Sequence, residues 1–218
     1  MGRIYRAKVK PENVIVDKMK SLKMISLMMG CLAAVCVTFS SCSDDDDDNR
    51  LTPQEQKAAF EAVKGDYSGK MIYPVIDSKT NKVVSDTALV SWSIQSDSMM
   101  TIRNFPVSVL GHYVSDTTVS KLMLAEQPQT LTCAIGFIKV SPATFLINPN
   151  TVTFNYTYGG KSHKVQVPFY INSSYSFGTL DSRKNLQMQI ITGGVFEDGK
   201  NTGWMRGSVA LAFVGKKS

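Results

Sequence analysis

The sequence predicts a mainly β protein, an antiparallel β-barrel or sandwich with a short N-terminal helix and one or two short helices between strands. Two observations predict this class. Apolar and polar residues alternate with a period of two in many short segments, most clearly over residues 152–158, as in strands with one buried face. Gly, Pro and Asn separate these segments, and many short strands joined by such turns favour a sandwich or a barrel.

The N-terminal helix is predicted at residues 52–63. Thr52 is a suitable N-cap, and Glu55, three residues later, completes a capping box. Pro53 occupies the first helical position, where its missing N–H has no cost, and Gly65 follows the last apolar residue. The apolar side chains form one narrow stripe (Ala59, Phe60 and Val63), so we expect the helix to pack on the domain.

Strands are predicted at residues 67–76, 87–94, 99–103, 129–138, 151–169, 185–192 and 207–214. The clearest hairpin lies within 151–169, where Gly159-Gly160 supplies the positive φ angles that a two-residue turn requires. Gly193-Gly194 predicts a second such turn. Pro168 predicts that its strand is an edge strand or bends there. Between the strands, apolar residues at helical spacing predict two short helices, at 107–113 and 118–125.

The N-terminal region has the layout of a cleavable secretory signal. Lys20 and Lys23 precede an uncharged stretch over 24–39, and small residues then lead to Cys42. The stretch is shorter than the roughly 20 apolar residues that span a bilayer, and polar residues follow it. Residues 1–18 are basic and fit no part of this plan, so we expect either an upstream start, with Met19 as the initiator, or a long basic n-region.

Small residues before Cys42 resemble a bacterial lipobox, in which the cysteine is lipidated after cleavage in front of it. Phe39 stands where most lipoboxes carry Leu, and the lipoproteins of Bacteroidetes are more permissive there. The following residues resemble the acidic surface-export signal of Bacteroides (Ser43, Asp44, Asp45, Asp46 and Asp47). This resemblance implies a protein anchored in the outer membrane through lipid on Cys42 and facing the cell exterior. The alternative is that the aspartates are only a solvated linker.

Four parts follow: residues 1–18, a signal peptide at 19–41, a lipidated cysteine with an acidic tether at 42–50, and one β-rich domain at 51–218. Beyond Cys42 the chain has 17 basic and 16 acidic residues, a net charge of +1, and no basic cluster. Nucleic acid is therefore not expected as a partner. Cys133 is then the only cysteine besides Cys42, so it has no disulfide partner within the mature chain, and its apolar strand predicts a buried hydrophobe.

No catalytic residue, metal ligand or cofactor is predicted. The sequence has no Gly-x-Ser-x-Gly, no His-Glu-x-x-His and no Gly-rich phosphate loop. His112 and His163 are the only histidines, and neither has a His, Cys or carboxylate at metal-ligand spacing. We interpret both as structural. Eight aromatic residues are either core or a stacking surface for a sugar or lipid, and the core interpretation is favoured. They are Tyr67, Tyr73, Trp92, Tyr156, Tyr158, Tyr170, Tyr175 and Trp204.

Two further resemblances concern modification and family. The triplets that begin at Asp86, Asp97 and Asp116 resemble the acceptor motif of Bacteroides O-glycosylation, which predicts glycan on one or more of three residues (Thr87, Ser98 and Thr117); the alternative is chance. Residues 65–70, 148–150 and 158–161 resemble turns in uncharacterised, often calycin-like, lipoprotein domains of gut Bacteroidetes. That resemblance covers about residues 50–216 and implies no catalytic residue.

These observations favour a non-catalytic surface lipoprotein that binds a ligand or partner. A second hypothesis is a structural or protein-interaction subunit of a cell-surface complex that recognises a partner through a strand edge. A third is an unrecognised hydrolase, which would need two facing carboxyl groups, one with a raised pKa. A deep apolar cavity would favour the first hypothesis and an uncovered edge strand the second.

Overall fold

The computed structural model describes residues 50–205 and 207–218. It confirms a mainly β fold and decides for the barrel: eight antiparallel strands close in the order β1-β12-β9-β8-β5-β4-β3-β2, and a separate four-stranded sheet has the order β11-β10-β7-β6. The strands are β1 Gly65–Ile76, β2 Val83–Ile94, β3 Met99–Phe105, β4 Gln129–Lys139, β5 Thr144–Pro149, β6 Val152–Tyr158, β7 Lys161–Val167, β8 Phe177–Leu180, β9 Asn185–Ile191, β10 Phe196–Glu197, β11 Lys200–Asn201 and β12 Ala210–Lys217.

The barrel is a meander in chain order with two insertions. The β6–β7 hairpin is inserted between β5 and β8, and the short β10–β11 hairpin between β9 and β12. The two insertions pair with each other through β7 and β10, at Phe196 with Gln166 and Glu197 with Val165. Closure joins the two ends of the domain, because β1 pairs with β12 from Tyr67 opposite Lys217 to Ile72 opposite Ala212.

Side chains fill the barrel interior. Trp92 is fully buried, stacks on Tyr67 with ring centroids 5.8 Å apart, and meets Phe213 edge-on at 6.4 Å. Such aromatic pairs add to the free energy gained by burial itself. Cys133 also faces this core, and burial raises the pKa of its thiol to about 12. The prediction of a buried free cysteine is therefore confirmed.

The N-terminal helix α1 spans Pro53–Val63, as predicted. The Thr52 side chain accepts from the backbone N–H of Glu55 at 3.3 Å, and the Glu55 carboxylate accepts from the backbone N–H of Thr52 at 2.8 Å. Ala59 and Val63 are buried, and the Val63 carbonyl accepts a hydrogen bond from the hydroxyl of Tyr67 at 2.6 Å. Local capping and the apolar stripe thus fix where the helix begins and which face is buried.

Between β3 and β4 the prediction of two short helices is confirmed. The second is helix α2, Thr117–Leu124, capped by Asp116. The first, Val107–Tyr113, is a 3₁₀ helix rather than an α-helix. Close packing against α2 explains the glycine at 111, since a side chain there would lie 2.9 Å from the Ser120 carbonyl oxygen. The two helices are also joined by a hydrogen bond of 2.9 Å from the Ser120 hydroxyl to the Gly111 carbonyl.

Turn residues behave as predicted in one hairpin and differently in two places. Gly159 and Gly160 have φ angles of 57° and 76° between β6 and β7. Pro168 was predicted to mark an edge strand or a bend, but β7 lies between β10 and β6 and simply ends at Val167. Gly193-Gly194 was predicted as a second Gly-Gly turn, but only Gly194 has a positive φ (140°), and these residues connect β9 to the inserted β10.

Residues 77–82 form the turn between β1 and β2. The Asp77 carboxylate accepts hydrogen bonds from the backbone N–H groups of Lys79 and Thr80 at 2.9 and 2.6 Å. These bonds lower the pKa of Asp77, the largest contribution coming from Thr80.

Within 50–205 and 207–218, no helix has both the length and the apolar character that a membrane span requires. The predicted signal peptide, Cys42 and the acidic tether up to residue 49 lie outside the described residues.

Candidate functional site

The outer wall of the barrel carries an open groove of about 1000 Å³. Four strands of the closed sheet (β9, β12, β1 and β2) and the turn before β9 supply most of its lining. The residues that line it are Ser68, Gly69, Lys70, Leu89, Val90, Ser91, Asn104, Arg183, Asn185, Val214, Gly215 and Lys216. This volume is at the upper end of the range for small-molecule sites.

The groove is positively charged. Lys70, Arg183 and Lys216 line it, and no carboxylate of the described residues does. Among the described residues, none of the ion pairs involves these three side chains. Serine hydroxyls and asparagine amides complete the polar lining. Three cations without an acidic partner on one concave surface favour an anionic ligand.

An exposed apolar side chain lies beside these charges. Leu89 is 87% exposed, because alternation along β2 directs Val90 and Trp92 to the core and Leu89 outward. Val214, half-buried on β12, adds a second apolar contact. A leucine this exposed contributes little to the core, so its presence in the groove is consistent with a ligand that has an apolar part.

Glycines on two adjacent strands, β1 and β12, allow core side chains to pack against the backbone that lines the groove. Gly69 and Gly215 are register partners in β1 and β12. A Cβ on Gly215 would clash with the indole ring of Trp92 and would lie 2.6 Å from the Ser68 carbonyl oxygen. The indole therefore lies directly beneath the backbone that forms this part of the groove.

The turn between β8 and β9 positions Arg183. The Asp181 carboxylate accepts hydrogen bonds from the backbone N–H groups of Arg183 and Asn185, both at 2.8 Å, and from the Asn185 amide at 2.8 Å. Lys184 takes a left-handed conformation with φ 60°. This hydrogen-bonded turn holds the arginine at the groove with little conformational freedom in the backbone.

A second polar cluster lies on the smaller sheet, and the sequence interpretation missed it. His163 Nδ1 is 3.3 Å from Glu197 Oε1 and 3.1 Å from Asp198 Oδ2. The ring of Tyr158 stacks on His163 with centroids 4.2 Å apart, and its hydroxyl donates to Glu197. Pairing of β7 with β10 brings the carboxylates to the histidine. The only available signal was the acidic turn at 197–198, which does not reveal its partner strand.

The electrostatics of this cluster suit a structural role. A hydrogen bond from the backbone N–H of Lys164 lowers the pKa of Asp198, and the hydrogen bond with His163 lowers it further. Burial and the bond to Glu197 raise the pKa of Tyr158 above its usual value. A general acid among the carboxyls would need a raised pKa, whereas the pKa of Asp198 is lowered. Contacts from His163 and Tyr158 to the carboxylates of Glu197 and Asp198 tie the two inserted hairpins together.

The other predicted residues are not brought together. Thr87 lies on β2, Ser98 in the turn before β3 and Thr117 at the start of α2, and all three are exposed. His112 is exposed on the 3₁₀ helix. In the part of the chain that the structure describes, no group of three His, Cys, Asp or Glu side chains is arranged to hold a metal ion. Cys42, Ser43, Asp44, Asp45, Asp46 and Asp47 lie outside that part.

The aromatic residues divide as the favoured interpretation predicts, with two exceptions. Tyr67, Trp92 and Tyr156 are buried in the core. Tyr170 and Tyr175, in the connection between β7 and β8, are 48% and 67% exposed. These two rings are available for contacts outside the chain.

Comparison with known proteins places this fold in a family without assigning it an activity. Residues 62–197, more than half of the chain, match the family described as "Domain of unknown function (DUF4840)". The match extends from the end of α1 to β10 and so includes seven of the eight barrel strands. No curated protein and no solved structure matches the chain. The chain belongs to the DUF4840 family of uncharacterised domains.

Proposed function

We propose that this protein is an outer-membrane lipoprotein, anchored through lipid on Cys42 and facing the cell exterior, whose barrel binds a small anionic ligand without catalysis. The proposed ligand class rests on the outer groove, where three cations that have no acidic partner among the described residues lie beside the exposed Leu89. The proposed location rests on the uncharged stretch over 24–39, which is followed by Cys42 and an acidic run. Display at the surface would place the groove in contact with external ligands.

The groove suits an anionic amphiphile better than an inorganic anion. Arg183 supplies a planar guanidinium that binds carboxylate, sulfonate or phosphate groups in bidentate fashion, and Lys70 and Lys216 add point charges. Leu89 and Val214 can cover an apolar part of the same molecule. The core of the barrel is filled by side chains, so no deep apolar cavity among the described residues favours the ligand-binding hypothesis, and the proposal depends on the outer wall.

Binding is tested with taurocholate, a steroid with a sulfonate head group, against CHAPS, which carries a related steroid nucleus and a zwitterionic head group. Titration calorimetry below the critical micelle concentration uses the mature protein with Cys42→Ser, so that no lipid or detergent interferes. We expect taurocholate to bind and CHAPS to bind more weakly. The triple variant K70Q/R183Q/K216Q should raise the Kd for taurocholate about 10- to 100-fold, since each exposed ion pair contributes up to about 1 kcal/mol.

A matched variant controls for net charge. Lys161, Lys164 and Lys200 are exposed on the smaller sheet, outside the groove, so K161Q/K164Q/K200Q removes the same charge and should leave the Kd within about twofold at 0.15 M salt, where distant charges are screened. Equal loss in both triple variants would refute the groove as the site. Absence of binding by taurocholate, laurate and an alkyl phosphate would refute an anionic amphiphile as the ligand.

The membrane anchor is tested separately by metabolic labelling with radioactive palmitate in the native host. We expect label on the full-length protein and none on Cys42→Ser, because the lipid is attached to that thiol. Cys133→Ala is the control and should label normally, since Cys133 is buried in the core. Replacing Asp44, Asp45, Asp46 and Asp47 by Ala should keep the label and abolish cleavage by protease added to intact cells. Label that persists on Cys42→Ser would contradict lipidation at this residue.

A second candidate function, a protein-interaction subunit, is favoured by one observation. β6 is the terminal strand of the smaller sheet, and Thr153, Asn155 and Thr157 are exposed along it. A terminal strand can pair with a strand of another protein. Pull-down from the cell surface that depends on β6, together with no ligand for the groove, would favour this alternative.

A further inference from the structure

The connection between β7 and β8 presents two exposed aromatic rings. Residues 165–180 contain no acidic or basic side chain. Tyr175 is 67% exposed and Tyr170 is 48% exposed, and Ile171 between them is also exposed. Large exposed side chains grouped on one segment mark a contact surface more often than isolated ones do.

This segment is held in place by hydrogen bonds at both ends. The Tyr170 backbone N–H donates to the Ile191 carbonyl at 2.9 Å, and the Gln189 side-chain amide donates to the Tyr175 carbonyl at 2.8 Å. Gln189 and Ile191 are two residues apart on β9 and therefore share a face, with their Cα atoms about 7 Å apart. The backbones of both tyrosines are thus anchored side by side along one strand.

The centre of the segment is fixed to β5. The Asn148 amide donates to the Asn172 side-chain oxygen at 2.9 Å, and the Asn172 backbone N–H donates to the Asn148 side-chain oxygen at 2.7 Å. Asn172 has φ 49°, a left-handed conformation that asparagine tolerates. A ligand that stacks on these rings would therefore find their backbone already ordered, which lowers the conformational entropy lost on binding.

The polar side chains that hydrogen-bond to this segment carry amides and hydroxyls. Asn148, Asn172 and Gln189 supply the amides, and Ser208 donates to the Tyr170 hydroxyl at 3.3 Å. Amides offer both donors and acceptors without charge, as a ligand covered with hydroxyl groups requires. Aromatic rings cover the apolar face of such a ligand while their hydroxyls remain hydrated. A lipid would need a continuous apolar surface, and an ionic ligand would need charge.

We propose that Tyr170 and Tyr175, with the amides that surround them, form a binding site for a neutral saccharide. The site is separate from the anionic-ligand groove. Gln189 lies four residues along β9 from Asn185, the groove residue on that strand, a distance of about 13 Å. The proposal therefore does not depend on the groove being occupied.

The test is titration calorimetry of the mature protein with Cys42→Ser against three neutral probes: cellohexaose, xylohexaose and maltohexaose. We expect at least one to bind. Tyr175→Ala and Tyr170→Ala should each raise its Kd about tenfold, because each removes one stacking ring. Tyr175→Phe keeps the ring and should stay within about threefold. Met99→Ala removes an exposed apolar side chain from β3 and should leave the Kd unchanged.

Three outcomes would overturn the proposal. One is the absence of binding for all three probes; capture of a protein that depends on Tyr175 would then assign the surface to a protein partner. Another is saccharide binding that survives both alanine variants. The third is saccharide binding abolished by K70Q/R183Q/K216Q, which would place the saccharide in the groove. Saccharide binding that persists in that triple variant while taurocholate binding is lost would support two independent sites.

Discussion

Trp92→Ala is expected to lower the free energy of unfolding by about 3–5 kcal/mol, the usual cost of truncating a large buried aromatic side chain. Trp92 is fully buried and is packed between Tyr67 and Phe213, and neighbours in a closed barrel have little freedom to fill the cavity. One effect acts in the opposite direction. The indole Nε1 has no hydrogen-bond partner among the described residues, so the substitution also removes an unsatisfied buried donor. We therefore expect the lower half of that range.

Denaturant and thermal unfolding measure this change. The midpoint of thermal unfolding should fall by roughly 6–15 °C in a domain of this size. Leu89→Ala is the matched control in the same strand, because Leu89 is 87% exposed, and its effect should lie within about 0.5 kcal/mol. Similar losses for the two variants would mean that β2 does not direct Trp92 inward as the structure shows.

Gly215→Ala is expected to destabilise the barrel by about 1–3 kcal/mol, the usual cost of overpacking a core. The added Cβ would clash with the indole ring of Trp92 and lie 2.6 Å from the Ser68 carbonyl oxygen. The ring cannot easily move aside, since it stacks on Tyr67. The backbone of β1 cannot retreat without weakening the pairing that closes the barrel.

Gly136→Ala separates this clash from the general effect of replacing a glycine in a strand. Gly136 lies in β4, and nothing is within 4 Å of the position that its Cβ would take. Both substitutions reduce the conformational entropy of the unfolded chain equally, so Gly136→Ala should be neutral or stabilise by up to about 1 kcal/mol. In the double variant Gly215→Ala with Trp92→Phe, the smaller ring should recover part of the loss. Additive effects would contradict direct contact between the two residues.

Features that depend on neighbouring residues could be predicted from the sequence. The capping box of Thr52 and Glu55 marked the start of α1, and Gly159-Gly160 marked the β6–β7 turn. Cys133 was correctly assigned to the core from its apolar strand. Short strands were missed, because β5 and β8 have six and four residues and carry little periodic signal. The helix at Val107–Tyr113 was predicted, but its 3₁₀ form was not, since apolar spacing over seven residues does not distinguish the two helix types.

The candidate sites could be predicted only as residue types. The sequence showed that Tyr170 and Tyr175 were aromatic residues that could bind a ligand, but only burial distinguishes them from the core residues Tyr67 and Trp92. The groove was not predicted at all. Its cations come from three distant parts of the chain, at Lys70, Arg183 and Lys216. No spacing rule connects such residues, since their proximity follows from the order of the strands.

The sequence alone determined the β class, the N-terminal helix and the tight turn at Gly159-Gly160, because alternation, capping and positive φ angles act over a few residues. Tertiary structure decided that the sheet closes into a barrel, since Tyr67 pairs with Lys217 across almost the whole domain. It also decided which outward-facing residues become neighbours. Strand pairing at long range depends on how the complete set of side chains fills the interior, and that packing is not encoded in any single segment.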